Sequence, residues 1–139
     1  MHSPRARQQH GPLLLLRGTL DLLILKALEN GPLHGHDVSL WVRSATEGAL
    51  GVGEGSLYPA LHRLERRGLV SADWGRSRSN RKAKYHRLTS QGRRRLASET
   101  SQWHRYARAV ATALSGESEV DQPGTPVRRR AVQGLARIA

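Results

Sequence analysis

Between Leu20 and Leu88 the spacing of apolar residues changes period, and that change restricts the fold more than any composition figure. Helical spacing comes first. In residues 19–30, Leu20, Leu23, Ile24, Ala27 and Leu28 form one stripe, which Leu22 and Leu25 widen into the pattern of a largely buried helix. Thr19 is its expected N-cap, Asp21 suits the positive end of the dipole, and Asn30-Gly31-Pro32 stops it. A second helix is expected over residues 35–45, with Val38, Trp41, Val42 and Ala45 on one side. After a glycine-punctuated connection at 48–53, a third helix over 56–67 buries Leu57, Ala60, Leu61 and Leu64. With Ser56 as N-cap, Pro59 falls at N3, where its missing N–H costs little. Gly68 ends that element. Residues 69–74 and 83–88 then read as antiparallel strands, joined by a hairpin loop at 75–82 too long for a two-residue turn. The fold class expected is mainly α, with a two-stranded β element and a long final helix.

The chain has 139 residues, enough for one domain with tails. Lys and Arg number 23 against 11 acidic residues, a net charge of +12, which calls for a polyanionic partner. The surplus is concentrated: residues 63–95 hold 12 basic and 2 acidic side chains, whereas residues 13–62 hold 3 and 5. A localised excess describes a binding face better than general solubilisation. The absence of cysteine excludes disulfides, thiolate metal sites and cysteine nucleophiles. No apolar run approaches the ~18 residues that span a bilayer, and residues 13–16 are too short for a secretory signal. The expected compartment is the cytoplasm, with no membrane partner. Domain boundaries are expected at 1–12 for a flexible basic arm and 13–90 for the nucleic-acid-binding domain. Residues 91–114 are expected to form a dimerisation helix, for the spacing given below, and 115–139 a disordered tail.

Two compact helices, the second entered through a glycine-containing turn, suit the placing of a recognition helix in the DNA major groove. Here that helix is 56–67, with Ser56, Tyr58, Pro59, His62, Arg63 and Arg66 left outside the core stripe. Tyr58 and His62, four apart, are candidates for bases or sugars, and Arg63 and Arg66 for phosphates. Tyr58 reads equally well as a half-buried packing residue. The hairpin supplies Arg76, Arg78, Arg81 and Lys82, a flexible basic loop suited to phosphate or minor-groove contact. Lys84 alternates with Lys82 and shares its strand face, and Tyr85 packs on the other. Arg93, Arg94 and Arg95 open the last helix at the end its dipole disfavours, a repulsion a nearby anion would offset.

Thr89 caps a final helix over 91–114, in which Leu96, Trp103 and Val110 recur every seven residues and Thr100, Ala107 and Leu114 form a second seam. Leu96, Trp103, Ala107, Val110 and Leu114 are therefore the candidate dimer contacts. The alternative is that this helix folds back over its own domain. His34, His36 and Asp37 lie close in sequence without a further ligand at metal spacing, so a helix start is their simpler role. No cofactor, metal or catalytic residue is expected, and the chain does not read as an enzyme.

Ordered motifs carry a resemblance as well. Arg17-Gly18-Thr19-Leu20-Asp21, Gly31-Pro32-Leu33-His34-Gly35, Gly55-Ser56-Leu57-Tyr58-Pro59-Ala60-Leu61-His62-Arg63-Leu64-Glu65, Arg81-Lys82-Ala83-Lys84-Tyr85 and Leu88-Thr89 follow one another. Over residues 13–114 the chain resembles the PadR-like family of bacterial winged-helix transcriptional regulators. The resemblance implies a winged helix-turn-helix with residues 56–67 as recognition helix and 75–82 as wing tip. It also implies a homodimer built through the terminal helices, a pseudo-palindromic DNA operator, and repression relieved by a small aromatic or hydrophobic effector. Trp103, then Trp41, are the candidate ligand-binding residues. Three positions depart from the usual pattern: His36 and His86 stand where Tyr is common, and Gly53-Glu54 precedes Gly55 where Pro is frequent. The competing function is an architectural, sequence-tolerant nucleic-acid binder, which the same charge would serve.

Overall fold

The structure is a computed structural model describing residues 18–116. The expected basic arm at 1–12 and almost all of the tail expected from 115 lie outside the described residues. Two units are distinguished, one reaching Leu96 and one starting at Ala97. The first contains helix α1 (Thr19–Ala27), strand β1 (Leu33–His34), helix α2 (Gly35–Ala45), helix α3 (Glu54–Arg66) and strands β2 (Val70–Arg76) and β3 (Lys82–Leu88). Helix α4 (Ser90–Ser115) begins in it.

Three apolar stripes and one sheet face make the core. Ile24 and Leu25 come from α1 and Leu28 from its C-cap, Val38 from α2, and Leu57, Ala60, Leu61 and Leu64 from α3. Val70 and Leu88 close it from the strands, with Leu69 just before β2. The α3 stripe was fully legible: all four of its expected core residues are buried.

The sheet has three antiparallel strands in the order β1-β3-β2. Strand β1 has no counterpart in the sequence reading. Its two residues pair Leu33 with His86 and His34 with Tyr85, too few to leave an alternating pattern. The β2–β3 ladder runs from Val70–Leu88 to Arg76–Lys82, so the loop shrinks from the expected 75–82 to residues 77–81.

Helix ends required correction. Thr19 is not the cap of α1: Gly18 is, at φ 87°, and no side chain caps it. The helix ends at Ala27 instead of Asn30. Helix α3 starts two residues before Ser56, with Gly53 extended as N-cap and its carbonyl accepting from Ser56 N (3.1 Å) and Leu57 N (3.0 Å). Glu54 thereby occupies the first turn, where its charge suits the dipole. Pro59 lies inside the helix, so the Gly55 carbonyl has no intrahelical donor; Gly55 is exposed, and solvent reaches it. Thr89 does cap α4, its hydroxyl accepting from Gly92 N at 3.0 Å. A Cβ at Gly92 would stand 2.1 Å from the Leu69 carbonyl oxygen, which the Thr89 N–H already holds at 3.1 Å. Only glycine lets α4 leave the sheet so closely.

Leu96 corrects a dimer assignment. It is 6% exposed and belongs to the core of the first unit, so for this one residue the fold-back alternative holds. In the second unit, Trp103, Tyr106, Val110 and Leu114 are exposed apolar side chains at spacings of three and four, the rows of one helix face. Ala107 is half-buried.

Candidate nucleic-acid interface

Helix α3 and the β2–β3 hairpin line one open cleft of about 1200 Å³. From the helix come Tyr58, Leu61, His62 and Glu65; from the hairpin come Trp74, Arg78, Arg81, Lys82 and Lys84, with His86 behind them. The N-terminus of α2 adds His36 and Asp37.

Tyr58 combines the two roles its sequence position left open. It is 44% exposed, yet its ring lies where a Cβ on Gly35 would stand, at 2.6–2.8 Å. The bare backbone of Gly35 is thus the seat on which Tyr58 rests. His34, one residue earlier, caps α2 by accepting from Asp37 N at 3.3 Å. Its ring lies 5.5 Å from Tyr85 and 6.4 Å from His36. His34 and Asp37 therefore start a helix, and among the described residues no group of three or more His, Cys, Asp or Glu side chains gathers as a metal site.

Hydrogen bonds close the tip of the wing. Ser77 N donates to Arg81 O at 2.8 Å, and Asn80 N to Ser77 O at 2.8 Å, with Asn80 at φ 61°. Ser77 Oγ accepts from Arg81 N at 3.2 Å. Arg76 turns its guanidinium to Asn80 O (3.3 Å), and its own carbonyl accepts from Tyr85 OH (2.8 Å). Tyr85 lies across Gly75, where a Cβ would stand 3.2 Å from its ring, on the strand face opposite Lys82 and Lys84. That alternation was legible.

Both acidic residues of the cleft lining lie beside basic groups. Glu65 Oε2 lies 3.5 Å from Lys84 Nζ and 3.3 Å from His86 Nε2, tying α3 to β3. Burial pushes His86 below its ordinary pKa; the Glu65 charge opposes that shift and Lys84 reinforces it. Asp37 is 3.3 Å from His34. Arg78 and Arg81 have no ion pair among the described residues.

Of the expected contact residues, the cleft gathers Tyr58, His62, Arg78, Arg81, Lys82 and Lys84; Ser56, Arg63, Arg66 and Arg76 are not in its lining. Arg63 has an acidic partner within the chain. Its guanidinium is 2.6 Å from Asp21 on α1, and Arg67 is 3.8 Å from the same carboxylate, so it braces α3 against α1. No nucleic-acid contact was expected at Trp74, Gly35 or His36, which also line the cleft. The strand period was a usable signal for Trp74, since it alternates with Arg76. Arg93 donates to Glu29 O at 3.2 Å, a favourable position for a cation just beyond the C-terminus of α1. Trp41 is half-buried against the core. Trp103 is 42% exposed.

The sequence model of the transcriptional regulator PadR-like family matches residues 24–98, which include α2, α3 and the whole wing. The chain belongs to the PadR-like family. Three solved structures of PadR-like or transcription-regulating proteins are similar to it. One, from Eggerthella lenta, is 33% identical, with 70% of this chain and 83% of that one covered and a TM-score of 0.59. A second, from Clostridium difficile, is 29% identical, with 71% and 100% covered and a TM-score of 0.60. The third, a transcriptional regulator from Clostridium thermocellum, is 26% identical, with 69% and 93% covered and a TM-score of 0.63. This PadR-like protein is accordingly a DNA-binding transcriptional regulator of winged helix-turn-helix architecture. No described helix is long and apolar enough to cross a membrane.

Proposed function

We propose that this PadR-like protein is a homodimeric repressor that grips a pseudo-palindromic operator through the cleft between α3 and the wing. The observation that carries the proposal is that one concave surface is lined by Tyr58 and His62 from the helix and by Arg78, Arg81, Lys82 and Lys84 from the wing. Helix α3 enters the major groove, where Tyr58 and His62 meet base edges, while Ser56 and Arg66 flank them on its exposed side. The wing cations hold the neighbouring backbone. Arg76 contributes by shaping the hairpin, and Arg63 by bracing the helix. Two copies, joined through Trp103, Ala107, Val110 and Leu114, present their helices one turn apart, ~34 Å. A small aromatic effector acts at the dimer contact, with Trp103 as its stacking surface.

Selection of bound fragments from genomic DNA at physiological salt tests this. A shared inverted repeat, preferred by ~10³-fold or more over random duplex, is the expected result; indiscriminate recovery identifies an architectural binder. On the selected site, Arg78→Ala weakens binding to every duplex, whereas Tyr58→Ala and His62→Ala change sequence preference. Equal losses on operator and random DNA would remove the base-reading role.

A further inference from the structure

Trp74 is the part of the cleft that the helix-and-wing reading does not use. The residue is 63% exposed, although an indole is among the largest hydrophobic groups available for burial. The register pairs Trp74 with Lys84, Arg76 with Lys82 and Ala72 with His86, and opposed residues of antiparallel strands project to the same face. Lys84 and His86 reach Glu65 of α3. Trp74 therefore stands on the sheet face turned towards the recognition helix, in the same cleft lining as Tyr58 and His62. Lys82 Nζ is 5.1 Å from the centre of its ring, within cation–π range.

A duplex backbone alternates apolar deoxyribose with anionic phosphate. The Trp74–Lys82 pair alternates in the same way, an apolar ring beside an ammonium. We propose that Trp74 is itself a DNA contact, its ring covering a deoxyribose while Lys82, steadied over that ring, meets the adjoining phosphate. Such a contact reads no base and strengthens binding to all sequences alike. The inference rests on the cleft being the DNA face.

Acrylamide quenching of tryptophan emission, with and without a mixed-sequence duplex of about 30 base pairs at low salt, tests it on the full chain. DNA is expected to shield a component of wild-type emission that Trp74→Phe lacks. Trp74→Ala is expected to bind about tenfold more weakly, from the lost apolar cover, and Trp74→Phe to lose less. Equal shielding in wild type and Trp74→Phe overturns the contact, as does unchanged affinity in a folded Trp74→Ala. If the Ala variant does not fold, the Phe comparison decides alone. Affinity lost without any shielding assigns the ring to orienting Lys82 only, and also overturns the contact. Binding that depends on Arg78 and Arg81 but not on Trp74 ends this inference alone; binding indifferent to both arginines ends the reading of the cleft as well.

Discussion

Gly35 and His86 show how single positions set the geometry of the cleft. A methyl group at Gly35 would meet the Tyr58 ring at 2.6–2.8 Å, and because that ring is half-exposed it can swing aside. Gly35→Ala is therefore expected to cost little stability while displacing Tyr58, so that operator preference changes and the denaturation midpoint scarcely moves. A large fall in stability would show that Tyr58 cannot yield. His86 is 3% exposed, and burial holds its folded pKa below the ordinary 6.5. The folded state thus binds fewer protons than the unfolded chain as pH falls. The contribution is fully present above pH 6.5 and declines as the pH drops below that value towards the folded pKa. Chemical denaturation of wild type at pH 7.5 and at progressively lower pH should show this decline. His86→Tyr, which installs the residue common in the family, should flatten that component; an equal slope in both proteins would contradict it.

At the scale of elements, α3 is fixed on one side by core leucines and on the others by two ionic contacts. Asp21 holds Arg63 and Arg67 from α1, and Glu65 meets Lys84 and His86 from β3. The Arg63 side chain is 45% exposed and that of Asp21 16%, so screening keeps the pair's contribution to about 1 kcal/mol or less. Asp21→Asn should therefore fold normally and release Arg63 towards DNA. Binding to mixed-sequence duplex is expected to tighten at low salt and its salt dependence to steepen, by up to about one phosphate. Weaker binding with an unchanged salt slope would mean that the brace positions the helix instead. These partners lie 42 residues apart in the Arg63–Asp21 case, which is why the sequence did not reveal that Arg63 is engaged. What was legible followed from period: the α3 core stripe, the order of helices and strands, and the shared face of Lys82 and Lys84. The starts of α1 and α3 were not, because Gly18 and Gly53 cap through backbone conformation without a side-chain signature, whereas the Thr89 cap of α4 was. Strand β1 was too short to show a period, and Trp74 and Gly35 owe their places to partners in other elements.

For the whole molecule, the account needs two copies presenting one DNA face each. The exposed side chains Trp103, Val110 and Leu114 are the apolar face proposed for that pairing, and Leu96 belongs to the core instead. Val110→Glu, at a position 39% exposed, is expected to leave the fold intact, to give the mass of one chain in sedimentation, and to weaken binding to an inverted repeat far more than to a half-site. A folded dimer of the variant would place the interface elsewhere. The DNA face itself is open to direct mapping by amide and side-chain NMR of the full chain titrated with a DNA duplex. The account predicts that the largest shifts fall on Tyr58, His62, Arg78, Arg81 and Lys82, from helix and wing together. Shifts concentrated on Arg93, Arg94 and the exposed face of α4, with the cleft residues unmoved, would contradict it.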